Sequence, residues 1–185
     1  SREGTVVDAE DLMEEMAKVA RRMSEELGKL DSLSTEETEK IFEIIALGAL
    51  KYYMLKIDSK KNMLFNPEES IDFNGNTGPF VQYTYARIQS VFRKAQKQNI
   101  IIKNIEEIKL DLSVKEKDLL KRVVAFPEVV KEAGSNYNPA IIANYCFELV
   151  KEYNQFYHDH PILKEENRNL RNFRFVLSAT VAKVV

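Results

Sequence analysis

A segment between Asp72 and Arg87 combines turn residues, two glycines and several aromatic side chains. It reads Asp-Phe-Asn-Gly-Asn-Thr-Gly-Pro-Phe-Val-Gln-Tyr-Thr-Tyr-Ala-Arg. Gly75 and Gly78 precede a predicted helix start, where backbone N–H groups can receive an anion such as phosphate. The glycine spacing matches neither the G-x-G-x-x-G pattern nor the Walker pattern with its lysine. A tight turn followed by a helix cap is therefore the stronger interpretation of these two glycines.

The helix predicted after this turn carries two aromatic faces. One face carries, at helical spacing, Phe80, Tyr83, Arg87, Ser90 or Val91, and Lys94. The other face consists of Val81, Tyr85, Ile88 and Phe92. If the second face packs inward, the rings of the first can stack on bases and its basic groups can pair with phosphates. The alternative is that both faces are buried between neighbouring helices.

His158 and His160, the only histidines, flank Asp159 and raise the possibility of metal or acid–base chemistry. They lack the i, i+4 spacing of helical zinc sites, and no further histidine or cysteine pair completes a ligand set. A helix end, with the histidines complementing its dipole, fits the pattern better. Cys146 stands between two aromatic residues and is expected to be a core thiol. We therefore predict no metal site and no self-sufficient active site.

The elements that position these residues are predicted to be helices almost throughout. Helix starts are indicated by Asp8 with Asp11, Ser34 with Glu37, Gly78-Pro79, Ser113 with Glu116, and Asn138-Pro139. The helices are expected to end near Gly28, Lys97, Ala133 and Tyr157, and a last helix is expected from about Glu165. The helix from Ser34 is apolar on nearly all sides between Ile44 and Leu50, which predicts that it is buried. Met63–Phe65 is the one short strand that the pattern allows.

Composition restricts the class of protein. The 185 residues are 44% hydrophobic and 30% charged, which is typical of a packed domain rather than a disordered chain. Only 6 glycines and 5 prolines are present, which disfavours a many-stranded barrel or sandwich. The sequence contains no run of 18 apolar residues, so no membrane span is predicted. A single cysteine makes the cytoplasm the expected compartment.

The net charge of −2 argues at first against a nucleic-acid partner. Residues 1–72, however, carry 10 basic and 17 acidic side chains, whereas residues 73–185 carry 17 basic and 12 acidic ones. Such an asymmetry can mark a nucleic-acid-binding face, although half-chains also differ by a few charges by chance.

Long blocks of the sequence resemble arginyl-tRNA synthetases. Residues 73–91 are similar to the segment that opens the family's anticodon-binding domain. Residues 48–55, 126–133 and 143–163 resemble further blocks of the family in the same order. Ser1 and Arg2 resemble the last two residues of its Lys-Met-Ser-Lys-type ATP loop. The resemblance implies an all-α fold, a helical bundle of the class I synthetase anticodon-binding type preceded by the helical tail of the catalytic region.

The resemblance also implies a domain organisation and a function. Residues 1–72 would be the stem-contact helices of the catalytic region, and residues 73–185 the anticodon-binding bundle, truncated at its C-terminus. The chain is thus expected to be a C-terminal piece, cut at both ends, of an arginine–tRNA ligase. It would bind the anticodon arm of arginine tRNA while the absent catalytic domain attaches arginine with ATP and magnesium. No cofactor is expected in this piece, and a monomer is expected.

The family's tRNA contacts transfer to particular positions of this sequence. The anticodon-binding residues implied are Phe80, Tyr83, Arg87, Tyr157 and, as a weaker phosphate contact, Lys94. Tyr157 is expected to stack on, or wall in, a base of the anticodon loop. Arg87 is expected to bind a phosphate or a base edge, as a planar bidentate donor does.

Two other functions stay open on sequence grounds. The first is a non-catalytic helical module that binds another RNA or a protein. The second, which the residues support poorly, is a small metal-dependent hydrolase that uses His158 and His160.

Overall fold

The computed structural model describes residues 8–26, 34–101 and 110–185. Helices dominate these residues, and no strand occurs among them, which confirms the predicted all-α fold. In chain order the helices are α1 (Ala9–Glu26), α2 (Thr35–Leu55), α3 (Pro67–Ile71), α4 (Gly78–Lys97), α5 (Val114–Val124), α6 (Phe126–Ser135), α7 (Ala140–Asp159) and α8 (Arg168–Val184). No helix in the described ranges has the length and apolar character needed to cross a bilayer.

The described residues fall into two compact units that divide between Gln82 and Tyr83, inside α4. The predicted end of the first helix near Gly28 lies outside the described residues, as do Ser1 and Arg2. The expected domain boundary after residue 72 stays a prediction.

The first unit packs α1, α2 and α3 against one another. The cap of α2 is the predicted capping box, in which the Glu37 N–H donates to Ser34 Oγ at 3.3 Å and the Ser34 N–H donates to Glu37 Oε2 at 3.0 Å. The core of the unit is formed by Met16, Val19, Ala20, Phe42, Ala46, Ala49, Leu50 and Ile71. These positions recur at helical spacing on α1 and α2, so each helix buries one stripe.

The expectation that α2 is buried on nearly all sides is wrong. Ile44 is 63% exposed and Leu47 is 39% exposed, although both lie in the apolar run. Phe42, Ala46 and Ala49 belong to the face that meets α1 and α3. A continuous apolar run therefore did not show which face has neighbours.

The short strand considered at Met63–Phe65 is also absent, because this backbone has no strand beside it among the described residues. Instead, the Tyr53 hydroxyl donates to the Leu64 carbonyl oxygen at 2.7 Å. The Phe65 ring packs edge-on against Tyr53, with the ring centroids 5.1 Å apart. An aromatic side chain of α2 thus holds the segment.

Gly75 lies in a turn that is closed by its own hydrogen bonds, and Gly78 is the first residue of α4 after that turn. Asp72 Oδ1 accepts the Asn74 N–H at 2.8 Å, and the Thr77 hydroxyl oxygen accepts the Phe80 N–H at 3.3 Å. A Cβ atom on Gly78 would lie 2.5 Å from the carbonyl oxygen of Gly48. Gly78 is therefore required by the close approach of α4 to α2, in agreement with the turn-and-cap interpretation.

The second unit is built around α7, which contacts α5, α6 and α8. The buried residues of its core are Ile88, Val91, Leu119, Tyr145, Leu149, Tyr153, Phe156, Ile162, Phe173, Leu177 and Val181. Cys146 packs half-buried against this core, and burial raises the pKa of its thiol. The prediction of a core thiol is thus confirmed.

The single helix predicted from Ser113 to about Ala133 is two helices in the structure. The capping box at its start is present, since the Ser113 N–H donates to Glu116 Oε2 at 2.7 Å and the Glu116 N–H donates to Ser113 Oγ at 3.2 Å. The break comes at Ala125, just before α6 begins with Phe126 and Pro127. Proline lacks an N–H and restricts the residue before it, which disfavours a continuous helix at this point.

The starts of α7 and α8 lie slightly beyond the predicted positions. Pro139, rather than Asn138, is the N-cap of α7, and Asn138 Oδ1 accepts the Ala140 N–H at 3.1 Å. Helix α8 starts at Arg168, because Asn167 caps it by accepting two backbone N–H groups. Glu165, the predicted start, lies outside the helix and binds Arg174 at 2.7 Å.

A buried ion-pair network connects α5 and α8. Arg174 Nε donates to Glu116 Oε1 at 2.7 Å, and Nη1 of the same side chain donates to the Pro161 carbonyl oxygen at 2.9 Å. Arg174 is 6% exposed and Glu116 is 1% exposed. Burial favours the neutral carboxyl of Glu116, but hydrogen bonds from Arg174 and the Ser113 N–H hold its pKa below the ordinary value.

Candidate nucleic-acid interface

The guanidinium group of Arg87 lies between two tyrosine rings. Its Cζ atom is 5.0 Å from the ring centroid of Tyr83 and 5.2 Å from that of Tyr157. Tyr83 precedes Arg87 by one turn of α4, whereas Tyr157 comes from the last turns of α7. A cation over an aromatic face is held by the ring quadrupole, so the two rings and the guanidinium form one cluster. We call Tyr83, Arg87 and Tyr157 the aromatic–arginine cluster.

Two polar side chains support this cluster from the protein side. Arg87 Nη1 donates a hydrogen bond to Asn154 Oδ1. Asn154 Nδ2 in turn donates to the hydroxyl oxygen of Thr84 at 2.8 Å. Thr84 is wholly buried, so the chain of hydrogen bonds runs from the cluster into the interior of the unit.

The Tyr157 ring also rests on a buried neighbour. Its centroid is 6.2 Å from that of Tyr153, with 31° between the ring planes. The Tyr153 hydroxyl donates to Ser178 Oγ at 3.1 Å, and burial raises the pKa of Tyr153 to about 12. Tyr157 is therefore oriented by a fixed ring from α7 and by a cation from α4.

The cluster is accessible from outside. Tyr83 is 37% exposed, and Arg87 and Tyr157 are half-buried. Exposed rings next to a planar cation can stack on unpaired bases, while guanidinium N–H groups bind phosphates or base edges. The second predicted face of α4 is not uniformly buried, since Ile88 is buried while Tyr85 is 44% exposed.

The structure does not bring all the predicted binding residues into one cluster. Phe80 is half-buried in the first turn of α4, in the part of the helix that belongs to the first unit. Lys94 is exposed near the end of α4, seven residues and about 10 Å along the helix axis beyond Arg87. Ser1 and Arg2 lie outside the described residues.

The residues around His158 and His160 are engaged at the end of α7. His158 Nδ1 lies 2.8 Å from Asp159 Oδ1, and Lys115 pairs with the other carboxylate oxygen. The hydrogen bond from His158, followed by that from Lys115, lowers the pKa of Asp159 to about 2. His160 stacks on Phe156 at 5.3 Å. Across the part of the chain that the structure describes, no three His, Cys, Asp or Glu residues are grouped to hold a metal.

Sequence reasoning missed Asn154 and Thr84. Asn154 lies three residues before Tyr157, and it is a polar position in a helix stretch that buries Leu149, Val150, Tyr153 and Phe156. The signal available in the sequence was a polar residue beside this buried stripe, on the same helix as Tyr157. Its partner could not be read from the sequence, because Arg87 is 67 residues away.

Comparison with known protein families identifies the class to which this helical chain belongs. Residues 81–185 match the DALR anticodon binding domain. The chain belongs to the DALR anticodon binding domain family.

Curated proteins with similar sequences agree with this family. The chain is 63% identical over all 185 residues to a protein named arginine–tRNA ligase from Phocaeicola vulgatus and 62% identical to one from Bacteroides thetaiotaomicron. It spans about 30% of the length of each. These matches confirm the predicted resemblance to arginyl-tRNA synthetases.

Solved structures share the architecture. The arginyl-tRNA synthetase of Thermus thermophilus superposes with a TM-score of 0.81 at 28% identity, over 97% of this chain and 30% of that one. The arginyl-tRNA synthetase of Plasmodium falciparum superposes with a TM-score of 0.76 at 23% identity, over 96% of this chain and 31% of that one, and this second likeness concerns the fold alone.

Proposed function

We propose that this chain is the part of an arginine–tRNA ligase that binds the anticodon arm of arginine tRNA. The match of residues 81–185 to an anticodon binding domain and the high identity with curated arginine–tRNA ligases support this function. Attachment of arginine, with ATP and magnesium, is assigned to the longer enzyme of which such a chain forms about 30%. The same proposal includes a monomeric state and a location in the cytoplasm.

The domain assignment is part of this proposal. Residues 1–72 are the helical tail of the catalytic region, and residues 73–185 are the anticodon-binding bundle. The second segment carries 17 basic and 12 acidic side chains, and this basic excess supports the assignment because it attracts phosphates.

The observation that carries the proposal is the half-buried guanidinium of Arg87, whose Cζ lies 5.0 Å from the Tyr83 ring and 5.2 Å from the Tyr157 ring, with Tyr83 itself 37% exposed. Proteins recognise the splayed bases of RNA loops by stacking on aromatic rings and by hydrogen bonds to base edges. Tyr157 stacks on, or walls in, an anticodon-loop base, and Arg87 binds a phosphate or a base edge. Phe80 is a separate aromatic contact at the start of α4, and Lys94 adds a phosphate contact near the end of the helix.

A competition experiment tests this function. Labelled arginine tRNA is titrated with the 185-residue chain, followed by unlabelled tRNA with the native or an altered anticodon. Because the bases are read directly, the altered tRNA is expected to compete less well at every salt concentration. Equal competition by the two tRNAs would contradict anticodon binding and would favour a general RNA- or protein-binding module.

Two arginine variants provide the matched control. Arg87→Ala is expected to weaken binding about tenfold or more, since a hydrogen bond to a charged partner is lost. Arg168→Ala removes the same charge from the exposed first turn of α8, and its effect is expected to be small. Equal effects of both variants would show that net charge alone attracts the RNA.

A further inference from the structure

Asn154 occupies an unusual position on α7. It lies next to Tyr153 and three residues before Tyr157, in the helix that supplies four of the eleven buried core residues described for the second unit. Unlike its buried apolar neighbours, Asn154 carries an amide with one acceptor end and one donor end. Both ends have partners within the unit.

The two partners determine the orientation of the amide. The guanidinium group of Arg87 has only donors, so it requires the carbonyl oxygen of Asn154, which accepts from Arg87 Nη1. The amide nitrogen then points toward Thr84 and donates to its hydroxyl oxygen at 2.8 Å. Because Thr84 is wholly buried, it holds the amide from a fixed point of α4.

We propose that Asn154 is a positioning residue for RNA binding, which holds the guanidinium of Arg87 between the rings of Tyr83 and Tyr157. One N–H group of Arg87 donates to Asn154, and the other N–H groups bind the RNA. The inference rests on the proposed function, because it assigns a role within the same surface. Asn154 itself does not contact the RNA in this proposal.

The physical gain is preorganisation. An arginine side chain has many rotamers, and ordering such a side chain on binding costs enough to weaken affinity about three- to tenfold. A guanidinium that is already held in place avoids this cost when the RNA arrives. Loss of Asn154 is therefore expected to reduce affinity through Arg87 and not through the fold of the bundle.

The test is a double-mutant cycle with Asn154→Leu and Arg87→Ala, read out as the Kd for arginine tRNA. Asn154→Leu keeps the size of the side chain and removes both hydrogen bonds. It is expected to raise the Kd about three- to tenfold in the native background and to have no further effect beside Arg87→Ala. Additive effects of the two changes would overturn the proposal, since they would mean that Asn154 acts independently of Arg87.

A matched control and a spectroscopic signal separate positioning from folding. Asn144→Leu makes the same change on α7 at an exposed residue ten positions earlier, and the Kd is expected to stay unchanged. The Arg87 guanidinium N–H resonances of the RNA-free chain are expected to show restricted rotation in the native protein and rotational averaging in Asn154→Leu. Native-like resonances in Asn154→Leu would overturn the proposal even if its affinity were reduced.

The outcomes for Arg87 and Asn154 differ in meaning. If Arg87→Ala leaves the Kd unchanged, the proposed anticodon-binding surface is wrong. If Arg87→Ala weakens binding while Asn154→Leu does not, the surface stands and only the positioning role of Asn154 is rejected.

Discussion

The Arg87 guanidinium carbon lies 5.2 Å from the ring centroid of Tyr157, joining a cation of α4 to an aromatic ring of α7. The two residues are 70 positions apart in the sequence, and the packing of α4 with α7 in one core brings them together. Each orients the other, because the ring attracts the cation and the cation restricts the ring. Through this contact, α4 and α7 each contribute a side chain to the same candidate binding surface.

The ring of Tyr157 is expected to matter more than its hydroxyl group. Tyr157→Ala should raise the Kd for arginine tRNA about 5- to 150-fold, since stacking of one base on an aromatic ring contributes about 1–3 kcal/mol. Tyr157→Phe keeps the ring and should stay within about threefold of the native Kd. Filter binding at constant salt measures both variants. A phenylalanine variant as weak as the alanine variant would show that the hydroxyl, not stacking, supplies the contact.

Lys94 is expected to act as a phosphate contact without sequence preference. Lys94→Ala should weaken binding to native and anticodon-altered tRNA equally, and it should reduce the slope of log K against log salt by about 1. The measurement is a salt series with both tRNAs. Lys131→Ala, on the exposed surface of α6, removes a charge elsewhere and serves as the control. An unchanged salt slope in Lys94→Ala would remove Lys94 from the interface.

The buried Arg174–Glu116 pair is expected to be a point of high sensitivity to mutation. Arg174→Met leaves the carboxylate of Glu116 buried without its partner, which should lower the free energy of unfolding by about 3–5 kcal/mol. The double variant Arg174→Met, Glu116→Gln removes both charges and should be less destabilised than the single one. Urea unfolding measures the two values. A single variant within about 1 kcal/mol of the native protein would contradict the account.

Acid is expected to weaken the end of α7 through Asp159. Its pKa is lowered from an ordinary value of 3.8 to about 2 in the folded protein. The folded state therefore favours the ionised carboxylate, and the resulting stability is complete above about pH 4 and is lost as the pH falls toward 2. Asp159→Asn should remove this part of the pH dependence of the Tm.

The control for Asp159 is Asp118→Asn, which changes another exposed carboxylate of the same unit. Melting curves between pH 2 and 6 are compared for the three proteins. If Asp159→Asn follows the native curve throughout the acid range, the interactions of Asp159 with His158 and Lys115 do not contribute to stability.

Local features of the fold were predictable because they depend on neighbouring residues. Ser34 with Glu37 and Ser113 with Glu116 form the predicted capping boxes, since each involves groups only three residues apart. The break at Ala125 was also encoded locally, by Pro127, but the apolar pattern across it concealed the interruption. Propensity and caps thus determine where most helices begin.

Features that depend on distant partners were not predictable from pattern alone. The exposure of Ile44 reflects which side of α2 meets α1 and α3, and no periodicity within α2 reports that. Likewise, helical spacing placed Tyr83 and Arg87 on one face and a family resemblance added Tyr157, whereas Asn154 is identified only by its contact with Arg87. Long-range packing therefore determines the part of the site that sequence reasoning missed.

The most direct test of the aromatic–arginine cluster is a footprint of the bound RNA. Nuclease protection of arginine tRNA by the native chain should be concentrated in the anticodon loop, and it should be lost from that loop with Tyr157→Ala or Arg87→Ala at protein concentrations that saturate the native complex. Protection confined to other parts of the tRNA, or loop protection that both variants retain in full, would contradict the central claim that this cluster holds the anticodon loop.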